Sequence, residues 1–184
     1  MAEVELATLM ERMAQGDKAA FAAFYRAMER PLYRFITSKL NDPIEASDLL
    51  HEVFIDVWRS AGKFEGRSKV KTWVFGIAYR KTMDHFRKHG RVSVTEEVPE
   101  REDETPDAAS CLAASQEAAH VRYCLDKLSG DHRMAIELAF YEDMTYAQIA
   151  ETAGAPEGTI KTRIFHAKKL LMHCLSGRVG RVAT

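Results

Sequence analysis

The stretch Thr145–Leu171, TYAQIAETAGAPEGTIKTRIFHAKKLL, constrains this chain more than any other, because it reads as a helix, a tight turn and a basic second helix. Ala150, Gly154 and Ile160 stand at the spacing a helix-turn-helix requires. A small residue lets the helices cross closely, glycine permits a positive φ in the turn, and a β-branched residue plugs the gap. Pro156 falls in the first turn of the second helix, with Glu157 beside it to complement the helix dipole. On a helix of about 100° per residue, Ile160, Ile164, Ala167 and Leu171 line one side. Lys161, Thr162, Phe165, His166, Lys168 and Lys169 line the other, with Arg163 at the border. An aromatic among cations and hydroxyls suits a DNA major groove, where apolar atoms meet thymine methyls and cations meet phosphates and guanine edges. The competing reading is a solvated basic helix with one stray Phe.

The net charge of −1 argues against a nucleic-acid binder only as an average. Between Lys63 and Arg91 nine Lys and Arg residues face only Glu65 and Asp84, whereas eight carboxylates between Glu96 and Glu117 face only Arg101. Such segregation is the relevant electrostatic footprint. No apolar run approaches the roughly 20 residues of a membrane span, and the acidic start MAEVELATLMERM is unlike a secretory signal, so a cytoplasmic protein is expected. Cys111, Cys124 and Cys174 are odd in number and scattered, which implies free thiols in a reducing compartment. His120 and Cys124 lie at i, i+4, but two ligands do not close a metal site. No cofactor or metal is expected.

Helical periodicity dominates the chain. Asp17–Ser38 reads as a helix that Pro31 kinks or breaks, Pro43–Ala61 as the next, Gly62–Lys71 as a basic loop, and Thr72–His89 as a long helix. Residues 92–115 are acidic, carry Pro99 and Pro106, and read as a flexible linker. Helices resume over Gln116–Leu128 and Ser129–Tyr141 before the helix-turn-helix, and Gly177–Thr184 reads as a frayed tail. The expected fold is all-α: two small helical domains, 1–91 and 116–184, joined by the linker 92–115, the second carrying the helix-turn-helix.

In DLLHEVFIDVWR, Leu49, Leu50, Val53, Phe54 and Val57 form an apolar arc with Trp58 at its edge. Asp48, Glu52 and Asp56 form a ridge on the far side, and Ile55 projects beside it. A solvated ridge is the plain reading, but an exposed Ile among carboxylates fits a protein-docking surface. In the loop, Phe64 stands among Lys63, Arg67, Lys69 and Lys71, a composition able to stack on an unpaired base. On the helix that follows, Trp73, Arg80, Asp84 and Arg87 share one stripe, while Phe75, Tyr79, Met83 and Phe86 share another that reads as core.

In this order and separation, DLLHEVFIDVWR, FEG…KTWVFGIAYRKTMDHFRK and MTYAQIAETAGAPEGTIKTRIFHAKKLL resemble the bacterial RNA polymerase sigma factors of the extracytoplasmic-function group, over roughly Asp17–Leu175. The resemblance implies an alternative sigma factor, without enzymatic activity, whose partners are core RNA polymerase, promoter DNA and an anti-sigma protein that occludes polymerase-binding surfaces. It implies that Asp48, Glu52, Ile55, Asp56 and Arg59 dock on the clamp helices of the largest subunit, and that the second domain meets the beta flap. Lys63, Phe64, Arg67, Lys69, Lys71, Trp73, Arg80, Asp84 and Arg87 would serve the minus-ten element, with Phe64 near a flipped base. Thr159, Lys161, Thr162, Arg163, Phe165, His166, Lys168 and Lys169 would serve the minus-thirty-five element. His166 stands where many relatives carry Arg, which replaces a bidentate cation by a mostly neutral ring. Asp84 replaces an amide common in relatives, which shifts base preference toward cytosine. The alternative is a stand-alone helix-turn-helix regulator that binds a palindromic site as a dimer. No carboxylate pair, triad or metal cluster supports an enzyme.

Overall fold

A computed structural model describes residues 2–40, 42–89 and 118–182 of the 184-residue chain. The described residues form α1 (Glu3–Ala14), α2 (Lys18–Thr37), α3 (Pro43–Ser60), a 3-10 turn (Ala61–Lys63), α4 (Val70–His89), α5 (118–126), α6 (Gly130–Phe140), α7 (Tyr146–Ala153) and α8 (Glu157–Val182), with no strand among them. The linker 92–115 expected from the sequence lies outside the described residues.

Local chemistry sets the boundaries. The Asp17 carboxylate caps α2 by accepting from the Ala19 and Ala20 amides and also pairs with Arg12. The Ala20 amide, followed by Arg12, lowers the Asp17 pKa. Asp42 caps α3 in the same way, with Pro43 in the first turn. Thr145 and Gln148 form a capping box at the start of α7, which ends at Gly154 with φ of 61°, the left-handed turn the helix-turn-helix needs.

One expectation narrows, one changes and one element is added. Pro31 does not break α2, which runs through it as one element; the buried Met28, Leu32, Phe35 and Ile36 hold both sides of the proline in one core. The Gly177 tail is not frayed at once, since α8 continues to Val182. The N-terminal segment is itself a helix, with Leu6, Leu9, Met10 and Met13 buried on one face.

In the first half, α2 packs on α1 and α3, and α3 on α4. Phe21, Tyr25, Phe54 and Trp58 make edge and tilted ring contacts at centroid distances from 4.2 to 6.3 Å. In the second half, α8 packs on α6 and α7. The halves meet where α4 packs on α7, and buried residues from both belong to one apolar cluster.

Candidate nucleic-acid interface

α8 follows the separation of faces its sequence implies. Ile160, Ile164 and Ala167 are buried against α6 and α7, whereas Phe165 is 65% exposed. Lys161, Thr162, His166, Lys168, Lys169 and Thr159 are exposed around it. Phe165, whose burial would be worth roughly 1.5–3 kcal/mol, thus stands in solvent among polar and cationic neighbours. Lys161 pairs with Glu157 one turn back at 2.8 Å, and this bond raises its pKa. The Lys168 ammonium lies over the Phe140 ring at 5.1 Å. The Thr162 hydroxyl donates to the Gly158 carbonyl at 3.0 Å. Arg163 stands apart: it is half-buried and paired with Asp131 of α6 at 2.7 Å.

The basic loop and α4 form a second surface. Lys63, Arg67 and Lys69 are exposed, and Arg67 pairs with Glu65 at 2.6 Å. Phe64 is not splayed into solvent. Its ring packs on Trp73 at 5.2 Å, and both rest against the edge of the core. Lys71 is half-buried and reaches the Glu142 carboxylate at 3.0 Å. Further along α4, Arg80 and Asp84 are exposed, and Asp84 accepts from Arg87 at 2.8 Å. On the other stripe Phe75 is buried and Tyr79, Met83 and Phe86 are half-buried, as a core stripe requires.

A third surface lies on α3. The apolar arc Leu49, Leu50, Val53, Phe54 and Val57 is buried, while Asp48, Glu52 and Arg59 are exposed and Ile55 is 47% exposed. Lys81 of α4 spans the ridge, 3.1 Å from Glu52 and 3.0 Å from Asp56. Burial disfavours the Lys81 ammonium, but the Asp56 and Glu52 carboxylates outweigh it and raise its pKa. Ile44, which the sequence reading left out, is 74% exposed and lies eleven residues, three helical turns, before Ile55. The two isoleucines therefore flank Asp48 and Glu52 on one face, a periodicity present in the sequence.

The cysteine expectation is overturned. Cys124 of α5 and Cys174 of α8 form a disulfide across 50 residues of chain, not a pair of free thiols. Their pairing comes from the approach of two helices distant in sequence, which no local spacing encodes. It also takes Cys124 away from any metal site with His120. Cys111 lies outside the described residues. Among the described residues no group of three His, Cys, Asp or Glu is placed to hold a metal, and no helix is long and apolar enough to cross a membrane.

Comparison with known proteins identifies the family. Residues 24–92 match the family model of sigma-70 region 2, and residues 120–171 that of sigma-70 region 4. The chain is 31% identical over 175 residues to the ECF RNA polymerase sigma factor SigK of Mycolicibacterium vanbaalenii, spanning 93% of this chain and 89% of that protein. It is 30% identical over 175 residues to SigK of Mycobacterium tuberculosis, spanning 93% and 94%. Among solved structures it resembles the sigma factor RpoE of Bartonella quintana, determined in complex with the anti-sigma factor NepR. The identity is 25% and the TM-score 0.70, over 85% of this chain and 96% of that one. CnrH in complex with the cytosolic domain of CnrY shares the fold, with a TM-score of 0.68 and 21% identity over 94% and 98%.

Proposed function

The chain belongs to the extracytoplasmic-function group of sigma-70 RNA polymerase sigma factors, and we propose how its surfaces divide the work of transcription initiation. It is an alternative sigma factor, a non-enzymatic protein that binds core RNA polymerase and directs it to promoters. Residues 1–91 dock on the polymerase and open the minus-ten element, residues 92–115 tether, and residues 116–184 hold the minus-thirty-five element.

The α3 face with Asp48, Glu52, Ile55, Asp56 and Arg59, joined by Ile44, docks on the clamp helices of the largest subunit, and the second domain meets the beta flap. Lys63, Arg67, Lys69, Lys71 and Arg87 hold phosphates of the melting strand, while Arg80 and Asp84 face bases. Phe64 and Trp73 form one aromatic pair, so a flipped base stacks against that pair rather than on a free ring. The gain from stacking offsets the few kcal/mol that extrusion costs. On α8, Lys161, Lys168 and Lys169 hold the duplex, Arg163 joins them on exchanging Asp131 for a phosphate, and Thr159, Thr162, Phe165 and His166 face base edges. RpoE of Bartonella quintana forms a complex with an anti-sigma factor, and the same kind of partner controls this chain by covering its polymerase-binding surfaces. These partners place the protein in the cytoplasm.

The observation that carries this reading is Phe165, exposed among cations on a helix that buries Ile160, Ile164 and Ala167 on its other side. Holoenzyme binding to upstream-element variants tests it. Phe165→Ala should change preference among variants by roughly 1–3 kcal/mol at the contacted position. Lys168→Ala should instead weaken all variants alike and reduce the salt slope by about one phosphate. Indifference of holoenzyme binding to both substitutions would place this face off the DNA.

A further inference from the structure

The seam between the halves is held by charge as well as by apolar packing. Glu142, in the turn between α6 and α7, is 6% exposed, and its carboxylate accepts from Arg34 of α2 and Lys71 of α4, both in the other half. The Arg34 guanidinium also lies 4.5 Å from the centre of the Tyr141 ring. Nearby, the Lys39 ammonium donates to the Gly130 carbonyl, and the Thr152 hydroxyl donates to the Thr72 carbonyl at 3.5 Å.

This seam is imperfectly closed. The buried Thr72 Oγ1 and Glu137 Oε2 have no hydrogen-bond partner among the described residues. Thr72 lines a cavity of ≈ 190 Å³ between the halves, along with Glu3, Lys69, Lys71, Glu142 and Gln148. An orphaned buried polar atom costs free energy that hydration returns when the surface opens. An interface with strong ion pairs and orphaned neighbours is suited to part as a unit rather than to stay fused.

The closed form also conflicts with promoter engagement. α4 touches α7, yet elements centred ten and thirty-five positions upstream lie about 85 Å apart along a duplex at 3.4 Å per base pair. A compact chain of this length has a radius of gyration of only about 16 Å. Lys71, assigned above to the melting strand, spends its charge on a carboxylate of the helix-turn-helix half.

Resting on the function proposed above, we infer that Glu142 is an intramolecular latch: its carboxylate occupies Lys71 and Arg34 in place of a nucleic-acid phosphate and holds the two DNA-binding halves in a closed, promoter-incompetent arrangement. Core polymerase then opens the chain by binding each half separately. A pair of charge-assisted hydrogen bonds corresponds to roughly a tenfold or larger change in an equilibrium constant.

The test is small-angle scattering of the full-length chain, with core-polymerase affinity measured in parallel. Glu142→Gln should enlarge the radius of gyration and tighten core binding about tenfold. Arg34→Gln, which leaves the helix-turn-helix half untouched, should shift both in the same direction but by less, since Lys71 still pairs with Glu142. The double variant should open no further than Glu142→Gln alone, since the Arg34 ion pair runs through that carboxylate. Scattering and core affinity equal to wild type in both variants, or an Arg34→Gln chain that stays closed while Glu142→Gln merely loses helix content, would overturn the latch. Transcription at saturating core polymerase reads the sigma role separately. If it is intact in the wild type while both variants behave as wild type, only the latch fails; if it is absent in the wild type, the function reading fails with it.

Discussion

At the scale of single residues, charge placement is the most informative property of this protein, and Lys39 shows it most sharply. Burial against the second half lowers its pKa to about 8, only partly opposed by the Asp131 and Glu137 carboxylates and reinforced by Arg133 and Arg163. In the unfolded or opened chain the ammonium titrates near 10.4. Between these values the opened chain binds more protons than the closed one, so raising the pH favours the closed, folded state; below about pH 8 both forms are charged and this residue contributes no slope. Urea unfolding of the wild type and Lys39→Met from pH 7.5 to 10 checks the sign. The wild type should gain stability relative to the variant by at most about 1.4 kcal/mol per pH unit above pH 8. Parallel curves would show that Lys39 is hydrated in the folded protein. None of this was legible in the sequence, where Lys39 is one more cation after a helix and Gly130 lies 91 residues away. Phe165 was legible, because its neighbours at helical spacing fix which side of α8 is buried.

At the scale of elements, amphipathic helices announced themselves and long-range partners did not. The buried arc of α3 and the two faces of α8 follow directly from a 3.6-residue period. The same period is present in α1, whose Leu6, Leu9, Met10 and Met13 face the core. Of the kink or break that Pro31 implies locally, tertiary packing excludes the break. The Cys124–Cys174 bond was invisible because it depends on where α8 ends and what it crosses. The α3 face offers the clearest test at this scale. Ile44→Ala and Ile55→Ala each remove exposed apolar surface, so each should leave the thermal melt within about 0.5 kcal/mol of wild type. Core-polymerase affinity should nevertheless fall for Ile55→Ala, and further for the pair. A destabilised but normally binding Ile55→Ala chain would show that this face serves folding rather than docking.

At the scale of the whole molecule, the two proposed DNA-binding surfaces and the proposed docking surface are carried on helices that pack into a single body among the described residues. Segregated charge made the division into two basic surfaces readable despite a net charge of −1. The packing of α4 on α7 was not readable, because it depends on shape complementarity between elements that the sequence shows only one at a time. The central claim is that core polymerase acquires promoter specificity from this chain. Run-off transcription from genomic fragments, with core polymerase in the presence and absence of the full-length protein, measures it most directly. Transcripts should appear only with the protein, starting at defined positions downstream of a shared pair of sequence elements. Unchanged initiation by core polymerase, together with tight binding of the isolated protein to a palindromic duplex, would contradict the account and favour a stand-alone regulator.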